Sequence, residues 1–151
     1  MKRIITSVLS AIATMSLMAY APVIQSGKTG GESQIIIQQS DPEQGLTDRQ
    51  KVWIDALEWC ESSGKNEAVN PKDLDGTPSY YAFQWKPGTF REYGIRYGVI
   101  DANITNDEMM ADMKLYPLEL SIVAGMVKQQ DVPWHELFPQ CVRRLGLPPK
   151  N

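Results

Sequence analysis

A mostly helical α+β domain, with a small loop or β element set in after its first helix, is what three features of this 151-residue sequence predict. Apolar residues recur at helical spacing in several stretches after residue 46. Most of these stretches open on a start signal, either a capping box or a proline in the first turn. Between the first two of them, the run from Asn70 to Ser79 holds two Pro, one Gly and two Asp, residues that favour turns and hairpins over helix. A composition of 42% hydrophobic and 22% charged residues fits one folded core of ordinary size.

The chain opens with Met1-Lys2-Arg3, an apolar run from Ile4 to Met18, and Ala19-Tyr20-Ala21. A basic start, an apolar stretch and a small-x-small site form the pattern of a secretory leader. Residues 1–21 are therefore expected to be a signal peptide, and the protein secreted or periplasmic, in the cell envelope. The run is only slightly shorter than a membrane span, so an uncleaved leader acting as a membrane tether stays open. Residues 22–46, rich in Gly, Ser, Gln and Pro with one apolar island at Ile35-Ile36-Ile37, read as a flexible linker. The domain is expected over 47–151, as a monomer.

Formal charge is −3, and losing Lys2 and Arg3 with the leader leaves 13 basic against 18 acidic residues, or −5. A nucleic-acid binder would need a basic face, so that class is set aside. One histidine and two cysteines are too few for a zinc site of those ligands, and no metal or cofactor is expected. In an oxidising compartment the two cysteines, Cys60 and Cys141, are expected to form a disulfide; two separately buried thiols are the alternative.

Thr47-Asp48-Arg49-Gln50 has the form of a capping box. It opens a helix whose inner stripe is read as Val52, Trp53, Ala56, Leu57 and Cys60, with Lys51, Asp55, Glu58 and Ser62 on the solvated side. Gly64 stops it. Pro87-Gly88-Thr89 begins a second helix through Phe90, Tyr93 and Arg96, closed by Gly98. Thr105-Asn106-Asp107-Glu108 is another capping box, leading a short helix whose Met109, Met110 and Met113 read as core filler. Pro117 suits the first turn of a helix containing Leu118, Ile122, Val123 and Met126. A short turn over 134–138 precedes a last helix from Pro139 through Cys141, Val142 and Leu145 to Gly146.

Glu61 is the residue in this pattern that points to chemistry. It stands four residues beyond Leu57 and eight beyond Trp53, continuing a core-facing row to the helix end, where a cleft can open. Partial desolvation there favours the neutral acid, as proton donation to a glycosidic oxygen near neutral pH requires. Among the four tryptophans, Trp85 is the one expected to stack on a sugar face, the other three being core. Asp73-Leu74-Asp75-Gly76 reads first as a turn; Asp75, or Asp73, could also activate a water or line the cleft. Pro71 and Ala82 at the end positions exclude an EF-hand, and His135 is assigned to the surface or packing.

The run Glu61-Ser62-Ser63-Gly64-Lys65-Asn66-Glu67-Ala68-Val69-Asn70, followed by Ser79-Tyr80-Tyr81-Ala82-Phe83-Gln84, resembles the active-site region of the lysozyme-like superfamily. It is most similar to lytic transglycosylases of the soluble type, where a Glu-Ser pair precedes an Ala-Val-Asn or Ala-Val-Ser stretch and then a Tyr-Gly-Leu-Phe-Gln-like segment. The likeness covers residues 59–90 closely. It implies a peptidoglycan glycosidase that cuts the β-1,4 bond between N-acetylmuramic acid and N-acetylglucosamine, with glycan strands as its partner. By the same likeness Glu61 is the catalytic acid/base, Ser62 lies beside the substrate, Tyr80 and Gln84 line the cleft, and Asn70 shapes the loop.

The departures bear on mechanism. Tyr81 stands where the family has Gly, a position at which a positive φ suits Tyr poorly. No Tyr-Asn pair occurs in the chain, so the family's later Tyr-Asn segment has no counterpart. Beside hen-type lysozymes, Ser79 falls where their second carboxylate stands, and a serine cannot serve as the carboxylate nucleophile of a retaining enzyme. Two routes follow: Glu61 acting alone while the sugar's own 6-hydroxyl closes an anhydro ring, or Asp73 or Asp75 activating water for inversion. Tyr81 and the missing segment also leave open a non-catalytic glycan-binding or envelope scaffold protein with a degenerate lysozyme-like fold.

Overall fold

Thr47 starts the first helix, α1 (Asp48–Ser62), through reciprocal bonds: its Oγ1 accepts from Gln50 N–H, and Gln50 Oε1 accepts from Thr47 N–H at 2.9 Å. The computed structural model describes residues 41–73, 75–130 and 132–150. The expected signal peptide and the linker up to residue 40 lie outside the described residues.

After α1 the chain forms a two-stranded antiparallel hairpin, β1 (Val69–Asn70) and β2 (Ser79–Tyr80), with Val69 opposite Tyr80 and Asn70 opposite Ser79. The helices α2 (Pro87–Arg96), α3 (Asn106–Asp112), α4 (Tyr116–Gln129), α5 (Trp134–Leu137) and α6 (Pro139–Leu145) follow. The architecture is thus mostly helical with one small sheet, the α+β class the sequence predicts. Pro87, Pro117 and Pro139 all fall in first turns, where the missing N–H costs nothing. Thr105 and Glu108 close the second capping box. Among the described residues no helix is long and apolar enough to cross a membrane.

The core sits between α1, α2, α4 and α6. Ile54 and Leu57 of α1, Phe83 from the turn after β2, Phe90 of α2, and Ile122, Val123 and Met126 of α4 are all fully buried. Helix α1 packs on α4 and α6, α2 packs on α3 and α4, and α5 packs on α6. Met109 and Met113 fill the core as expected. Gly125 permits a close approach: a Cβ there would lie 2.8 Å from the Tyr97 ring. The Cys60–Cys141 disulfide is formed and ties α1 to α6 across 81 residues of sequence.

The inner face of α1 differs from the expected stripe. Val52 is 66% exposed, whereas Ile54 and Gln50 are fully buried and Ser62, assigned to the wet side, is buried too. The C-terminal segment explains part of the rotation. It crosses α1, where Trp53 Nε1 donates to Gly146 O at 3.2 Å and Gln50 Nε2 to Pro149 O at 3.1 Å. The described stretch 41–46, which composition assigns to the linker, packs on the domain: Leu46 joins the core and Pro42 O accepts from Lys128 Nζ.

Candidate active site

Glu61 is the penultimate residue of α1, and the helix ends immediately beyond it. Ser63 takes a left-handed conformation at φ 58° and donates its N–H to Trp59 O at 2.9 Å, turning the chain out of the helix. The Glu61 side chain is left half-buried. Among the described residues no hydrogen bond or ion pair holds its carboxyl. Burial, and secondly the negative charge of Asp73, push its pKa from 4.5 up to about 7. A carboxyl so placed holds its proton near neutrality and releases it readily, the property a general acid/base needs.

Ser62 is occupied elsewhere. Its Oγ donates to Glu58 O at 3.2 Å and accepts from Lys65 N–H at 3.2 Å, with the residue buried. The hydroxyl expected beside the substrate therefore shapes the helix exit. Asn70, at the end of β1, accepts at Oδ1 from Lys72 N–H at 3.3 Å where the hairpin loop begins.

Tyr80 is half-buried and exchanges both backbone bonds with Trp85, at 3.0 and 2.8 Å. The four-residue turn between them carries the strain anticipated at Tyr81. Tyr81 sits at φ 63° and Gln84 at φ 50°. Left-handed conformations of non-glycine residues cost on the order of 1–3 kcal/mol each and persist only where surroundings enforce them. Here the enforcement is visible. Gln84 Nε2 donates to Tyr81 O at 2.9 Å and to Ala68 O at 3.3 Å, while its Oε1 accepts from Ser79 Oγ at 3.1 Å. Gln84 thus locks the turn and the loop leaving Glu61 to one another. Ser79 is fully buried and engaged in this network, well removed from a nucleophile's exposure.

Asp75 lies on the exposed loop of the hairpin. Its Oδ1 accepts from Lys86 Nζ at 2.8 Å, from Thr77 N–H at 2.9 Å and from Thr77 Oγ1 at 2.7 Å. These bonds, that of Lys86 foremost, hold its carboxyl well below the usual carboxylate range. A carboxylate so stabilised is a weak base, and the bonds that stabilise it also fix the loop. Lys86 reaches Asp73 Oδ2 at 3.2 Å as well, so one ammonium gathers both aspartates and Thr77.

The tryptophans reverse the expected order. Trp85 is 2% exposed and packs edge-on against Phe90 and Phe138, whereas Trp59 is 69% exposed, with the edge of its ring against Gly64. Trp85 pairs with Tyr80 across an isolated bridge, and its ring is held in the core by Phe90 and Phe138.

Sequence reasoning missed Glu119 on α4. It is 1% exposed, yet it stands in a row with Val123 and Val127 that is otherwise apolar, the same signal that singled out Glu61. Burial drives its pKa up to about 8, the Phe83 N–H pulls it down, the charge of Glu58 pushes it up, and the Ala82 N–H pulls it down again. Glu58 itself accepts from Tyr116 Oη at 2.8 Å. The polar loop leaving Glu61 frames a depression lined by Lys65, Asn66, Glu67 and Ala68. A larger apolar groove of about 430 Å³ runs along Val52, Trp53, Ala56, Leu145 and Pro149, toward the far end of α1 from Glu61, and is not part of this site. Among the described residues no cluster of three or more His, Cys, Asp or Glu side chains could hold a metal ion.

No protein-family model, curated protein or solved structure matches the chain.

Proposed function

We propose that the protein is an exported peptidoglycan glycosidase in which Glu61 is the single general acid/base, cleaving the β-1,4 bond between N-acetylmuramic acid and N-acetylglucosamine. The observation that carries this reading is the half-buried carboxyl at the end of α1, free of partners among the described residues and shifted to about 7. The glycan substrate comes from the resemblance of residues 59–90 to lytic transglycosylases, and the turn Tyr80–Gln84 beside the loop 62–70 supports it.

Glu61 donates its proton to the glycosidic oxygen as the bond to C1 of the muramyl sugar breaks. The resulting carboxylate then takes the proton of that sugar's 6-hydroxyl, whose oxygen attacks C1 and closes a 1,6-anhydro ring. Glu61 ends the cycle protonated, and no second carboxylate is consumed. The inverting route loses support at Asp75, whose Oδ1 is taken by Lys86 and Thr77 and whose carboxylate these bonds make a weak base. The scaffold reading loses part of its basis too, because Tyr81 adopts the left-handed conformation that the family's glycine would take.

Mass spectrometry of soluble products from purified peptidoglycan tests the reading. Anhydro-muramyl products from the wild type, absent with Glu61→Gln, are expected. Reducing-end products would move the chemistry to hydrolysis, and no products from folded, disulfide-bonded protein would overturn the enzyme reading.

A further inference from the structure

The turn from Tyr81 to Gln84 is gripped from two sides. On one side, Ala68 O receives Tyr81 N–H at 2.6 Å and the Gln84 side-chain amide at 3.3 Å. On the other side lies α4, where Glu119 Oε2 accepts the Phe83 N–H at 3.1 Å. The middle of a turn that begins and ends in left-handed conformations is therefore held, at Phe83, by one buried side chain. The Phe83 N–H has no access to water in its place, since Phe83, its neighbour Ala82 and Glu119 are all buried. Leaving such donors unsatisfied is costly, so the acceptor defines where the turn sits.

We propose that Glu119 is a positioning residue for the glycan site: from α4 it holds the Phe83 amide and, through it, sets the place of Tyr80 and Gln84 opposite the loop that leaves Glu61. The inference rests on the reading of Tyr80–Gln84 as a wall of that site. Glu119 is too deeply buried to touch substrate, so its influence passes through the turn.

An acceptor oxygen is what the turn requires. With its pKa near 8 the carboxyl is largely neutral at pH 7, so Gln is the conservative replacement and Met removes the acceptor at similar length. Amide hydrogen exchange of the folded variants, joined to steady-state cleavage of solubilised peptidoglycan, separates the possibilities. In the wild type and in Glu119→Gln the Phe83 amide is expected to exchange slowly, with KM unchanged within about threefold. In Glu119→Met the Phe83 amide is expected to exchange at least tenfold faster, and KM to rise at least fivefold per folded molecule. A Glu119→Met protein with wild-type exchange and KM but a lowered Tm would reduce Glu119 to core packing and overturn the proposal. Glu119→Gln behaving like Glu119→Met would overturn it as well. Should Glu119→Met not fold, the wild type still decides, because fast exchange at Phe83 there contradicts the clamp. A wild type that cleaves nothing defeats the glycosidase reading and the glycan role with it, while the exchange data still judge the clamp.

Discussion

The end of α1 and the loop over 73–77 treat carboxyl groups in opposite ways. At the end of α1, Glu61 is half-buried and unpartnered among the described residues, and burial leads the rise of its pKa to about 7. In the loop, Asp75 is exposed and tied to Lys86 and Thr77, which hold it below the carboxylate range. Environments that push two carboxyls apart assign different work to each. The first can exchange a proton near neutrality, and the second organises the loop. The means of anchoring differ too: the α1 end is cross-linked to α6 at Cys60, whereas the loop is gathered by one surface ammonium.

The comparison breaks most plainly at Glu61. Replacing it by Gln is expected to lower cleavage of peptidoglycan roughly 10²–10⁴-fold, the usual contribution of a general acid/base. The same change should stabilise the fold. The folded-state pKa lies above the ordinary 4.5, so the folded protein keeps a proton that the unfolded chain releases, and stability falls as pH rises from 4.5 through 7. Gln carries no such charge. The Tm advantage of Glu61→Gln should therefore grow between pH 5 and pH 8, which differential scanning calorimetry at the two pH values reads directly.

Removing the disulfide probes the anchoring. Cys60→Ser with Cys141→Ser opens a loop of 81 residues and is expected to cost about 4 kcal/mol in denaturant unfolding. Lys86→Met should do far less: a surface ion pair contributes little. Exchange at the Gly76 and Thr77 amides, which bond Asp73 O and Asp75 Oδ1, should rise by no more than about fivefold, with the Ser63 amide that caps α1 unaffected. Equal losses from the two changes would erase the distinction between a fixed acid and a tethered loop.

Much of this arrangement was legible in the residues, and the exceptions share a cause. Capping boxes at Thr47 and Thr105 and prolines in first turns act locally, so they read directly from sequence. Glu61 was visible because periodicity carries a core-facing row to the helix end. What could not be read depends on distant chain. Val52 is exposed while Ile54 and Gln50 are buried, partly because residues 146–149 cross α1 on that side. Trp85 is buried against Phe138, a partner far along the chain. Ser62 and Gln84 look like substrate contacts by resemblance, yet their polar groups bind backbone and Ser79. Glu119 shows the same row-based signal as Glu61, but only tertiary contact with Phe83 reveals its partner.

The account turns on a carboxylic acid that is still protonated near neutral pH at the end of α1. A ¹³C-detected NMR titration of the side-chain carboxyls, with Glu61→Gln to assign the signal and Asp73→Asn to remove the neighbouring charge, measures it directly. The expected result is a Glu61 pKa near 7 that falls in Asp73→Asn but stays above 4.5, because burial is the larger cause. A Glu61 that titrates at its ordinary value in the wild type would contradict the account.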